Sequence, residues 1–129
     1  MDPKTLRFAK THEWARLDGD VCTVGLTQYA VEQLTDVIYI ELPDVGEPTS
    51  AGDSFGEIES VKSVNDLYAP IGGEVIAVND KLETDPTAVS KDPYGAGWLV
   101  KIKIDPGATL DHLLTYDQYQ KQIAAEGAH

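Results

Sequence analysis

From Gly52 to Val75 the chain reads GDSFGEIESVKSVNDLYAPIGGEV. Two strand-like halves, SFGEIESV from Ser54 and NDLYAP from Asn65, meet at Lys62, and a second turn follows at Ile71, Gly72 and Gly73. This spacing places one lysine near the tip of a hairpin. Its neighbours Val61 and Ser63 carry no charge, so nothing adjacent in sequence neutralises the ammonium. A rigid hairpin offers a modifying enzyme a fixed, protruding backbone, which a floppy loop does not. The same spacing suits a lysine that merely solubilises a turn, and spacing alone does not decide between the two.

Working outward, further short runs of β-branched and aromatic residues are broken by Gly, Pro and Asp: VCTVGL from Val21, VIYIEL from Val37, GEVIAVN from Gly73 and GWLVKIKI from Gly97. In the last run Trp98, Val100, Ile102 and Ile104 fall on one face and Lys101 and Lys103 on the other, the alternation of a half-buried strand. Helices are short and peripheral. Thr27 can cap TQYAVEQL, and Asp85 followed by Pro86 reads as a cap and a first helical position. The stronger helical signal lies in the C-terminal segment 109–125, where Thr115 and Gln118 have capping-box spacing. Tyr116, Tyr119 and Ile123 share a face there, which predicts a helix docked on the sheet. The terminal AAEGAH has little to bury and is expected to fray.

With 129 residues and no repeated block, the chain is expected to form one domain over 1–129 and to act as a monomer. Ten basic against 22 acidic side chains give a formal charge of −12. That charge repels phosphate backbones and anionic lipid, which argues against nucleic acid and membrane partners and for basic docking faces whose grip weakens with salt. The opening MDPKTLRFAK is polar, and no stretch approaches the roughly 20 apolar residues of a membrane helix, so the expectation is a cytoplasmic protein with no targeting segment. Cys22 sits in an alternating strand pattern and reads as a small buried hydrophobe. His12, His112 and His129 are scattered without metal-ligand spacing, so no metal is expected. No nucleophile, base and oxyanion-donor set is recognisable, which points to a carrier rather than an enzyme.

The string ESVKSVNDLYAPIGGEV closely resembles the lipoyl attachment hairpin of the glycine cleavage system H protein family. HEWAR from His12, YAVEQLTDVIYIELPDVG from Tyr29 and DPYGAGWLVKIK from Asp92 match that family in order, so the resemblance runs from about Phe8 to the C-terminal helix. It implies a mainly β fold: a flattened barrel or sandwich of antiparallel sheets of the lipoyl and biotinyl carrier hammerhead type, with short peripheral helices and a C-terminal helix. It further implies lipoate attached to Lys62 through an amide, with Glu59 and Gly46 helping the lipoate-attaching enzyme to recognise the hairpin.

The implied partners are a pyridoxal-phosphate glycine decarboxylase, an aminomethyltransferase that uses tetrahydrofolate, and dihydrolipoamide dehydrogenase. In that cycle the decarboxylase loads an aminomethyl group onto one lipoyl sulfur, the transferase removes it, and the dehydrogenase reoxidises the dithiol. The family also implies a surface cleft that shields the loaded arm, although its lining is not named by the sequence. Two departures stand out. The family commonly has LGD where Leu34, Thr35 and Asp36 stand, and ELVN where Thr87, Ala88, Val89 and Ser90 stand. Threonine tolerates positive φ poorly, so a different path is expected at Thr35. Rival readings are an H-like lipoyl carrier for sulfur metabolism or lipoate relay, and a binding domain that is never lipoylated. The intact ESVKS argues against the second, and the absence of methionines beside Lys62 argues against a biotin carrier.

Overall fold

A computed structural model describes residues 2–127, which leaves His129 outside the described part. After a short 3-10 turn at Pro3–Thr5, nine strands follow: β1 (Arg7–Phe8), β2 (Glu13–Asp18), β3 (Val21–Leu26), β4 (Val37–Glu41), β5 (Pro48–Thr49), β6 (Ser54–Ser60), β7 (Val64–Tyr68), β8 (Gly73–Val78) and β9 (Val100–Ile104). Four helices accompany them: α1 (Gln28–Leu34), α2 (Lys81–Thr84), α3 (Ala88–Lys91) and α4 (Tyr116–Gly127). The strands form a six-stranded sheet in the order β1-β2-β3-β9-β8-β5 and a three-stranded sheet in the order β4-β6-β7. Every pairing is antiparallel. The result is the expected mainly β class, realised as a flattened sandwich.

Between the sheets lies one apolar core, built from Cys22, Val24, Leu26, Val75 and Ile102 on one side and Ile40, Ile58 and Leu67 on the other. Burial alternates along β9, where Val100 and Ile102 are buried while Lys103 is exposed. The strand begins only at Val100, however, so Trp98 does not continue the alternation; the Lys101 ammonium instead lies 5.2 Å over its ring.

A second cluster joins Leu6, Phe8, Trp14 and Tyr119, and α4 docks on it. Phe8 and Tyr119 stack with centroids 4.7 Å apart, a geometry worth about 0.5–1.5 kcal/mol beyond area burial. The capping box forms as read: Thr115 N–H donates to Gln118 Oε1 at 2.9 Å, and Gln118 N–H donates to Thr115 Oγ1 at 3.3 Å. The helix therefore begins at Tyr116, and 109–115 is turn and a bridge from Leu114 to Phe8.

Two local expectations are corrected. Asp85 closes α2 and accepts a hydrogen bond from Thr87, and α3 starts only at Ala88, so Asp85 is not the cap of a helix beginning at Pro86; the segment is the short connector expected, between two single-turn helices. Residues 124–127 of the expected frayed tail are helical. Polar ties replace apolar burial there: Gln122 donates to Lys10 O at 2.8 Å and to Glu126 at 2.7 Å. Thr35 takes φ +61 at the C-terminal cap of α1, a conformation glycine would favour, at a cost of about 1–3 kcal/mol of strain.

Candidate functional site

β6 and β7 pair closely, with Ile58 opposite Asn65 and Glu59 opposite Val64, and only Val61, Lys62 and Ser63 are left to turn the chain. Three contacts fix that loop. Ser60 N–H donates to Ser63 O at 2.8 Å, Lys62 N–H donates to Ser60 Oγ at 3.3 Å, and Val61 N–H donates to Asp36 O at 3.1 Å. The last bond ties the tip to the segment entering β4, immediately after the strained Thr35. Gly56 lets β6 approach its neighbour, because a Cβ there would lie 2.2 Å from the Glu41 carbonyl oxygen. The backbone under Lys62 is thus fixed while its side chain is exposed and, among the described residues, makes no ion pair.

Apolar side chains surround the lysine on the surface. Val61, Val64, Tyr39 and Ile38 are 62, 56, 54 and 50% exposed. A bulge between Val37 and Tyr39 turns Ile38 outward next to Tyr39, and Tyr39, Glu59 and Val64 lie side by side across the small sheet. Exposed apolar groups gathered in this way are the mark of a contact surface. Glu59 is therefore part of the lysine's surroundings. Gly46 belongs to a different place: it sits in the β4–β5 loop at φ +98, its N–H donates to Val75 O at 2.7 Å, and no hydrogen bond joins it to the hairpin among the described residues.

Beside the hairpin a cleft of about 470 Å³ opens between β2, α1, β7 and the end of α4. Ile58, Asn65 and Asp66 of the hairpin line it, together with Leu26, Leu34 and Tyr29. Asn65 stands three residues from Lys62, roughly 10 Å of strand, so a chain extended from the lysine can fold back into the cleft. Glu13, 1% exposed, also lines it. Its carboxyl accepts hydrogen bonds from Thr11 Oγ1 and, at 3.1 Å, from the Tyr68 N–H. Burial outweighs both bonds and lifts its pKa from the ordinary 4.5 to about 7. An ammonium entering the cleft would find a carboxyl group that makes no ion pair among the described residues.

Glu13 was not singled out by sequence. Its only signal was a carboxylate opening the run Glu13, Trp14, Ala15, all three of which are buried. His12, left open between packing and a contact role, lines the same cleft with φ +80; its Nδ1 lies 2.8 Å from Tyr119 Oη and its Nε2 3.2 Å from Glu126. Cys22 is fully buried, and burial pushes its thiol up to about 12, which leaves it a packing group. No group of three His, Cys, Asp or Glu side chains converges among the described residues, and none of their helices is long and apolar enough to cross a membrane.

A β-sandwich that displays one lysine on a pinned hairpin, next to an acid-floored cleft, has the architecture of a carrier domain. The family described as "Glycine cleavage H-protein" matches residues 6–126, and the chain belongs to that family. It is 46% identical over 125 residues to the glycine cleavage system H protein of Carboxydothermus hydrogenoformans, covering 97% of this chain and 96% of that one. The probable glycine cleavage system H protein of Haloarcula marismortui is 45% identical over 121 residues, covering 94% and 95% of the two chains. Among solved structures, the crystal structure of a glycine cleavage system H protein from Mycobacterium marinum superposes with a TM-score of 0.87 at 40% identity, over 95% of this chain and 99% of that one.

Proposed function

We propose that this chain, acting as one monomeric domain, is the lipoyl carrier of glycine cleavage and that Lys62 is its attachment point. The observation that carries the reading is the bare Lys62 side chain on a backbone fixed from three sides. Amide formation at Nζ disrupts no ion pair among the described residues, so the fold tolerates it. The lipoyl disulfide supplies the chemistry when bound: one sulfur accepts the aminomethyl group left by decarboxylation of glycine while the other becomes a thiol. Recognition by the attaching enzyme falls to Glu59, on the outer face two positions before the loop. Gly46 contributes a bare backbone segment at positive φ.

The cleft holds the cargo between enzymes. Its apolar wall of Leu26, Leu34 and Ile58 limits access of water, and Glu13 receives the ammonium of the carried group. Glu13 would hold that nitrogen protonated, without the lone pair that could expel a neighbouring sulfur. The partners are the pyridoxal-phosphate decarboxylase, the tetrahydrofolate-dependent aminomethyltransferase and dihydrolipoamide dehydrogenase. The chain itself contributes binding and shelter, with no catalytic group of its own. To test the pathway, the lipoylated chain is mixed with glycine and the decarboxylase and its free thiols are counted. One new thiol per chain, dependent on glycine, is expected. A lipoylated chain that stays oxidised would assign it to another lipoate pathway.

A further inference from the structure

A second hollow, of about 380 Å³, lies between the start of the chain, α1 and α4, and shares Tyr29 with the cleft. Four of its lining residues are tyrosines, Tyr29, Tyr94, Tyr116 and Tyr119, joined on the polar side by Gln28 and Glu32. None of the described residues that line it is basic.

Most of these rings are already held in place. Tyr119 is stacked on Phe8, with its hydroxyl 2.6 Å from Thr27 Oγ1 and 2.8 Å from His12 Nδ1. Tyr116 stands edge-on to Phe8, and the Tyr94 hydroxyl accepts the Gln28 N–H at 3.1 Å. A ligand here meets rings whose conformational entropy is already spent. Ring faces carry the negative side of the aromatic quadrupole. Glu32 adds a formal charge and, among the described residues, accepts from a neutral donor, Gln28 Nε2, at 3.0 Å. Burial is the main cause that disfavours ionisation of the Tyr94 phenol; the Gln28 N–H works against that effect, and the nearby Tyr116 and Glu32 add to it.

We propose that this hollow is a docking socket for an arginine side chain on a partner protein. A guanidinium stacks flat on tyrosine rings and directs a fork of N–H donors at hydroxyl and carboxylate oxygens, which a lysine ammonium does not. The formal charge of −12 draws basic surfaces to the chain, and buried tyrosine–arginine pairs are typical anchors of protein interfaces. Because Tyr29 lines both hollows, a partner anchored here sits next to the cleft. The socket stands independently of whether Lys62 is modified.

The test uses the full unmodified chain and an acetylated, amidated Gly-Arg-Gly peptide, with ring resonances followed by NMR. Saturable shifts at Tyr29, Tyr94 and Tyr116 are expected, with binding about tenfold weaker when citrulline, neutral and nearly isosteric, replaces the arginine. Glu32→Gln should weaken the arginine peptide about threefold while leaving Tm unchanged. Absence of saturable shifts, or equal binding of the citrulline peptide, would overturn the proposal. So would tetramethylammonium saturating the same rings at lower concentration than the peptide, because the hollow would then be a small-molecule ammonium site.

Discussion

The hairpin at Lys62 and the cleft at Glu13 are neighbours built on opposite principles. The hairpin is contiguous in sequence, its reactive group is exposed, and its supports are backbone hydrogen bonds. The cleft is assembled from segments near residues 10–13, 26–34, 58–68 and 126, and its reactive group is a carboxyl removed from water. Displaying a lysine breaks no ion pair among the described residues, whereas ionising Glu13 costs stability that an arriving ammonium can recover. The difference teaches that the part of a carrier that moves can be added to the surface, while the part that shelters must be prepaid by the core.

The largest effect expected is at Glu13. Because its folded pKa is raised from 4.5 to about 7, the neutral form is favoured in the fold. That contribution is complete below the unfolded pKa and is lost as pH rises through the folded one. Glu13→Gln stays neutral throughout, accepting from Tyr68 N–H and donating to Thr11. Relative to wild type, the variant should therefore gain about 3 kcal/mol between pH 4.5 and pH 8. Denaturant unfolding of both chains across that range checks it. A flat difference would mean that Glu13 is not buried as a proton-binding carboxyl.

A smaller effect sharpens the hairpin side of the comparison. Thr35, at φ +61, leads into the Asp36 carbonyl that holds Val61 N–H. Thr35→Gly should raise stability by about 1–2 kcal/mol by relieving that strain. Thermal unfolding reads the gain, and a loss of stability would show the turn to be unstrained. The smallest effect lies away from both regions. Ser90 Oγ is buried without a hydrogen-bond partner among the described residues. Ser90→Ala should change stability by less than about 1 kcal/mol, toward greater stability, because it removes an unsatisfied group at little cost in packing. Destabilisation on the same unfolding curve would reveal a partner for the hydroxyl.

How much of this was legible in sequence follows the same division. Alternation, turn residues and caps are local signals, so the β6–β7 hairpin, the Thr27 cap and the Thr115–Gln118 box could all be read along the chain. β1 and β5 are two residues each, too short to show a period. Asp85–Pro86 carried a correct cap signature but led into a connector, because Leu82 and Val89 on either side are the groups the core takes up. Glu13 was hidden because its importance comes from burial beneath α1 and β7, which no neighbour in sequence records. The positive φ of Thr35 is not a side-chain preference, because the α1–β4 connection dictates its backbone.

The most direct test of the central claim is the intact mass of the full chain after incubation with lipoate, ATP and a lipoate-attaching enzyme, followed by peptide mapping, for wild type and Lys62→Ala. The account predicts a single lipoyl increment in wild type, mapped to Lys62, and none in the variant, whose stability should stay within about 0.5 kcal/mol of wild type. An increment that persists in Lys62→Ala, or a folded wild type that acquires none, would contradict it.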